Sequence, residues 1–263
     1  MKRGFKYLYG PVPSWRLGRS LGIDPLSQEE KICNFDCMYC QVGLTRAHTV
    51  ERKNYVPVEA IIDELSALPP AAIDYITFSG RGDPSLAKNL GAAIRAVKKI
   101  RKEPVAVLTN SALMADDGVR KDLALADLVV AKLDAWSAES LRDINRPAGG
   151  IEFDNIVAGI KKFKKEYTGR LALQMMFIEE NKGHVLEYIR LAQSIGPDEI
   201  QINTPLRHSS VAPLSRDEIA RIKECFVRAC GGIKIVSVYD QRPKTTVKSF
   251  SDKDTLKRRG KIA

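Results

Sequence analysis

Tyr75-Ile76-Thr77-Phe78 runs into Ser79-Gly80-Arg81-Gly82-Asp83-Pro84, then a stretch of helical periodicity over 86–100, then Val105-Ala106-Val107-Leu108-Thr109. A short run of β-formers, a glycine-bearing loop, a helix and a second apolar strand make a βαβ unit, whose two strands must lie parallel. Outward toward the C-terminus the alternation continues: helix 117–125, strand 128–133, helices 138–143 and 153–166, strand 171–177, helix 182–195, strand 199–202, helix 216–230 and strand 233–238. Toward the N-terminus, a helix over 57–68 stops at Pro69-Pro70, where two prolines cannot continue it, and Ser20-Leu21-Gly22-Ile23-Asp24 reads as a first strand. About six βα units are too few for the eight of a closed barrel. The expectation is an α/β fold, either an open barrel or a doubly wound sheet, and in both cases ligands bind at the carboxyl ends of the strands.

A chain of 263 residues with 44% hydrophobic content can bury the core of one such domain with small extensions. No apolar run approaches the roughly 20 residues of a membrane span, and Met1-Lys2-Arg3-Gly4-Phe5-Lys6 is followed by no apolar signal core. The expectation is a cytoplasmic protein with no membrane partner. Five cysteines, three of them between positions 33 and 40, do not form the spread, even-numbered set of a disulfide framework and read as metal ligands in a reducing compartment. The net charge of +10 favours an anionic partner such as nucleic acid. Residues 244–263 carry seven Lys/Arg against two Asp, half of that excess, and are set apart as a basic C-terminal tail from a domain over 1–243.

Cys33-Asn34-Phe35-Asp36-Cys37-Met38-Tyr39-Cys40 gathers three thiols in eight residues, directly after the first strand. Three ligands on one loop can hold three corners of a cubane iron–sulfur cluster and leave one iron open. Zinc, with His48 as a fourth ligand, is the alternative chemistry for the same thiols. The spacing C-x3-C-x2-C with an aromatic residue before the third cysteine resembles the signature of the radical S-adenosylmethionine (SAM) superfamily.

That resemblance implies a partial (β/α)6-type barrel with a short N-terminal extension, in which Cys33, Cys37 and Cys40 ligate a [4Fe–4S] cluster and SAM chelates the open iron. One electron then cleaves SAM, and the 5′-deoxyadenosyl radical so formed takes a hydrogen atom from the substrate. Tyr39 is expected near the adenine. Ser79, Gly80, Gly82 and Asp83 stand where the family has a Gly-Gly-Glu type motif, with Arg81 at the second glycine position and Asp83 where Glu is common. The resemblance further suggests Asn110 or Ser111 near the SAM carboxylate or ribose, and Asp134, in Lys132-Leu133-Asp134-Ala135, as a catalytic group facing the reaction chamber.

Tyr9-Gly10-Pro11-Val12-Pro13-Ser14, Arg16-Leu17-Gly18-Arg19 and Asn145-Arg146-Pro147 are similar to a group of small Fe–S oxidoreductases related to the wyosine-forming tRNA enzymes. This implies an oxidoreductase or transferase type of enzyme, a reductant such as flavodoxin or ferredoxin, and a macromolecular substrate, tRNA ahead of protein. Modification of a protein side chain or activation of a glycyl-radical enzyme, and a non-catalytic zinc or Fe–S module, are the alternatives. Cys225, Cys230, Met175 and Met176 read as core residues, and Arg16 and Arg19 as partners of surface carboxylates. His184 and His208 read as surface or capping residues.

Overall fold

The structure is a computed structural model that describes residues 5–207, 209–241 and 246–250. Its chain opens with an antiparallel hairpin, β1 (Leu8–Ser14) and β2 (Gly18–Ile23), followed by a loop containing a short parallel ladder of β3 (Ile32–Cys33) and β4 (Ala47–His48). After α1 (Val58–Ser66) the alternation is regular: β5 (Tyr75–Phe78), α2 (Leu90–Ile100), β6 (Val105–Thr109), α3 (Asp117–Leu123) and β7 (Leu128–Lys132). A short α4 (Ala138–Ser140) continues as a π-helical turn over Leu141–Asn145 and is followed by α5 (Phe153–Glu166). The series ends with β8 (Arg170–Met176), α6 (Val185–Ile195), β9 (Glu199–Asn203), α7 (Arg216–Ala229) and β10 (Lys234–Ser237).

The main sheet has the order β1-β2-β5-β6-β7-β8-β9-β10. All strands from β2 onward are parallel and β1 alone is antiparallel, so six helical crossovers join seven parallel strands in an open, curled half-barrel. Alternate side chains face opposite sides. The helices cover the outer face, where Val107, Val129, Ala131, Leu173 and Ile200 belong to the main core. Leu17, Ala106, Leu128, Val130 and Ala172 form a separate apolar plug on the inner face. Two residues further along the strands the inner face turns polar, with Lys132, Gln174 and Gln201 in register across β7, β8 and β9.

Two details differ from the sequence reading. Residues 84–86 form a 3-10 turn capped by Asp83, so α2 starts at Leu90 rather than 86. The strand β1 had no expected counterpart; its register shifts between Tyr9 and Val12 around Gly10-Pro11. Residues 251–263 and His208 lie outside the described residues, as do 242–245. The described part of the tail lies against β1: the Phe250 amide donates to the Gly10 carbonyl at 2.8 Å, and its ring meets Phe5 at 6.0 Å between centroids. Among the described residues no helix is long and apolar enough to cross a membrane.

Candidate active site

The loop between β2 and α1 holds the three cysteines at the carboxyl ends of the parallel strands and is fastened on two sides. On one side β3 pairs with β4, aligning Cys33 with His48. On the other, the amides of Asp36 and Met38 donate to the carbonyls of Asn145 and Ile144, each at 3.0 Å, and the Ala148 amide donates to the Asn34 carbonyl at 2.9 Å. Gly82 lies under the loop so closely that a Cβ there would stand 1.7 Å from the Ile32 carbonyl oxygen.

Each cysteine sulfur meets one nitrogen donor. Lys31 Nζ lies 3.1 Å from Cys40 Sγ, Asn145 Nδ2 lies 3.3 Å from Cys37 Sγ, and Asn110 Nδ2 lies 3.9 Å from Cys33 Sγ. Without iron the two deeper thiols hold their protons. Burial, followed by the Asp83 charge, pushes Cys33 up to about 12, and burial pushes Cys37 up to about 11 against the pull of Lys132. Metal binding here must release those protons.

Residues expected at the SAM side gather around the same loop, bound chiefly to one another. Asp83 is fully enclosed: its carboxylate accepts from the Ser85 amide at 2.9 Å, from Thr109 Oγ1 at 3.0 Å, and from the Ser85 hydroxyl and the Asn110 amide. Burial raises its pKa, and these hydrogen bonds only partly offset the rise. Gly80 passes the buried Asp24, whose carboxylate carbon would lie 2.2 Å from a Cβ there. Ser79 Oγ bonds the Tyr9 hydroxyl at 2.6 Å. Asn110 donates to Asn34 Oδ1 at 2.5 Å, linking the end of β6 to the cysteine loop. Ser111 follows at φ 70°, strained for a residue with a Cβ. Among the described residues, the buried Ser111 Oγ and Asn34 Nδ2 have no hydrogen-bond partner.

Asp134 and Tyr39 meet on the inner side of the barrel mouth. The Tyr39 hydroxyl donates to Asp134 Oδ2, which also takes Lys132 Nζ at 2.5 Å, while Oδ1 accepts the Met176 amide at 2.7 Å. Asn145 Nδ2 reaches the Tyr39 hydroxyl at 3.1 Å as well as Cys37, and so connects this network to the cysteines. Burial and Asp134 hold the Tyr39 phenol far above its usual range. Tyr188 donates to the Asp134 carbonyl at 2.6 Å, and Trp136 stacks on His184 at 3.8 Å. Across the mouth, Ser210 in the loop after β9 donates to the Met38 carbonyl at 2.5 Å. A cleft of about 500 Å³ opens beside that contact, lined by Met38, Arg146, Glu179, Glu180 and Glu218 among others.

The roles of Lys31, Asn34 and Asn145 escaped the sequence reading because their partners lie on other turns of the chain. The one available signal for Lys31 was a basic residue two positions ahead of Cys33. Arg19 pairs with Asp74 at 2.5 Å, as a surface carboxylate partner should. Met175 and Cys230 are buried, whereas Cys225 is exposed, because positions five apart on α7 cannot share its inward face. His48 is exposed, with Nε2 3.2 Å from the Asn34 carbonyl. Among the described residues no three His, Cys, Asp or Glu side chains converge on a point where one metal ion would sit, as a zinc site requires. A cubane instead presents a separate iron to each thiol. Three sulfurs on one loop, a nitrogen donor for each, and two buried polar atoms left without partners beside them fit an iron–sulfur cluster with a polar cofactor next to it.

Residues 31–192 match the Radical SAM superfamily. A UPF0026 protein of Synechocystis is 39% identical over 94% of this chain and 89% of its own length. Streptococcus suis SuiB bound to S-adenosylmethionine superposes with a TM-score of 0.62 at 13% identity, over 79% of this chain and 48% of that one, so the chain spans about half of SuiB. TYW1 with a lysine-pyruvate adduct bound superposes with a TM-score of 0.61 at 16% identity, over 80% of this chain and 73% of that one. The chain is a member of the radical SAM superfamily, with S-adenosylmethionine and an iron–sulfur cluster as its cofactors.

Proposed function

We infer that this chain is an enzyme that cleaves S-adenosylmethionine reductively at a [4Fe–4S] cluster held by Cys33, Cys37 and Cys40, and directs the resulting radical at a macromolecule. The supporting observation is that the three thiols share one loop at the carboxyl ends of the strands, whereas Cys225 and Cys230 belong to the end of α7 that leads into the start of β10, at the opposite end of the barrel. Cys33, Cys37 and Cys40 would hold the cluster, which when bound would supply the electron for radical chemistry on SAM. The rest falls to the chain itself. Asn110 and Asn145 brace the cysteine loop against β6 and the π turn. Ser79, Gly80, Gly82, Asp83, Asn110 and Ser111 form the cofactor wall, with Asp83 tying β5 to β6 and the buried Ser111 hydroxyl left without a partner among the described residues. Tyr39 keeps its proton and donates a hydrogen bond to Asp134, whose charge Lys132 compensates, so Asp134 stands beside the chamber as a buried, paired carboxylate.

Residues 1–243 form the catalytic domain in this reading and 244–263 a basic tail. The net charge of +10 supports tRNA as substrate. The rim cleft favours a second reading, a polypeptide bearing basic side chains, because Glu179, Glu180 and Glu218 line it and would repel phosphates. A reduced flavodoxin or ferredoxin is the expected electron donor. The deciding experiment is anaerobic reconstitution: about four iron and four sulfide per chain, and 5′-deoxyadenosine released from SAM under reduction, support the reading. Iron-loaded protein that forms no 5′-deoxyadenosine with any reductant rejects it.

A further inference from the structure

The three nitrogen donors at the cysteine sulfurs are not equivalent. Asn110 and Asn145 offer neutral amides, whereas Lys31 brings an ammonium group on a side chain only 5% exposed, 3.1 Å from Cys40. A buried cation is costly unless its surroundings compensate it. The Gly43 carbonyl accepts from Lys31 at 2.7 Å but carries no net charge. Asp36 is the one carboxylate paired with it among the described residues, at 3.9 Å, and the same oxygen already accepts the Thr45 amide at 2.7 Å. Of the groups that can carry negative charge, the Cys40 sulfur therefore lies nearer the ammonium than the Asp36 carboxylate does. A neutral donor would fasten the loop equally well, so the charge calls for an electrostatic reason.

We propose that Lys31 sets the reduction potential of the cluster, a role that rests on the ligand assignment above. Three thiolates leave the oxidised cluster net negative, and an electron taken from the one-electron donor makes it more so. A fixed cation at one ligand sulfur stabilises the reduced form more than the oxidised form and raises the potential, as hydrogen bonds to cluster sulfurs also do. Asp36, 3.9 Å from the ammonium, opposes this effect with its negative charge. The pair thus adjusts how readily the site accepts an electron, and no proton has to move.

The test compares wild type, Lys31→Arg, Lys31→Met and Asp36→Asn, loaded anaerobically, with iron counted and the potential read by electron paramagnetic resonance at poised potentials. With equal iron in all four, Lys31→Met should disfavour reduction at least tenfold, a potential lower by about 59 mV for one electron. Lys31→Arg should lie between that value and wild type, and Asp36→Asn should shift the potential upward. An unchanged potential in Lys31→Met overturns the proposal. If Lys31→Met cannot retain iron, Asp36→Asn decides: a rise supports the role, and no change or a fall overturns it. A wild-type chain that holds no cluster on the three cysteines removes the ligand assignment, and this role with it.

Discussion

Asp83 joins two strand ends through one enclosed carboxylate, and its removal leaves the donors of Ser85, Thr109 and Asn110 without an acceptor. Asp83→Ala should lower the stability of the metal-free chain by about 1–3 kcal/mol, read from denaturant unfolding. Weaker SAM binding should follow as a consequence of a displaced Asn110. The pH dependence has a definite sign. Burial raises the Asp83 pKa above 3.8, so the folded chain holds this proton more tightly than the unfolded one. Its contribution to stability is complete below 3.8 and is lost as pH rises through the raised value. Subtracting the stability–pH curve of Asp83→Asn from that of wild type should isolate this decline, and a flat difference would contradict the burial argument. The cysteines divide more sharply. Substituting Cys33, Cys37 or Cys40 by Ala should lower 5′-deoxyadenosine formation by more than the roughly 10–100-fold that loss of an outer partner costs. Cys225→Ala and Cys230→Ala should retain it, and if all five variants behaved alike the ligand set would be wrong.

Among the elements, the loop after β5 and the capping of α7 show how local sequence governs the site. Gly82→Ala would drive a methyl group into the Ile32 backbone and push the cysteine loop outward. It should reduce iron retention without changing the fold, as iron content and circular dichroism would register. The helix α7 starts with a capping box in which Ser215 Oγ accepts the Glu218 amide and Glu218 accepts the Ser215 amide. Ser215→Ala should cost about 1 kcal/mol. Hydrogen bonds from Lys182 and Ser215 lower Glu218 to about 2, so this end of the helix should loosen as pH falls from 4.5 toward that value. Helices such as α5, and strands such as β6 and β7, were legible in the sequence because burial imposes their periods. β1 was not, since Gly10, Pro11 and Pro13 interrupt its pattern and its pairing depends on a bulge. The clustering of three cysteines on one loop at the strand ends was legible from their spacing and from the strand before them. The donors around them were not, because Lys31, Asn110 and Asn145 reach the sulfurs through tertiary contacts that no local pattern encodes.

At the level of the whole molecule, charge and shape act on the substrate in different ways. If tRNA binds, residues 251–263, with five Lys/Arg, should neutralise phosphates. Deleting them would spare the Phe250 contact with β1 and flatten the salt dependence of tRNA binding by about 0.9 in log–log slope for each phosphate no longer neutralised. SAM cleavage should persist. Equal slopes with and without those residues would remove the tail from recognition, and absence of tRNA binding by the full chain would turn attention to a polypeptide. The apolar plug on the inner face has a further consequence. Val130 lies two residues below Lys132 on the same strand, so the polar row begins only about 7 Å above the apolar plug. The plug is thus a floor: whatever enters from the strand ends meets polar side chains first and stops against apolar ones.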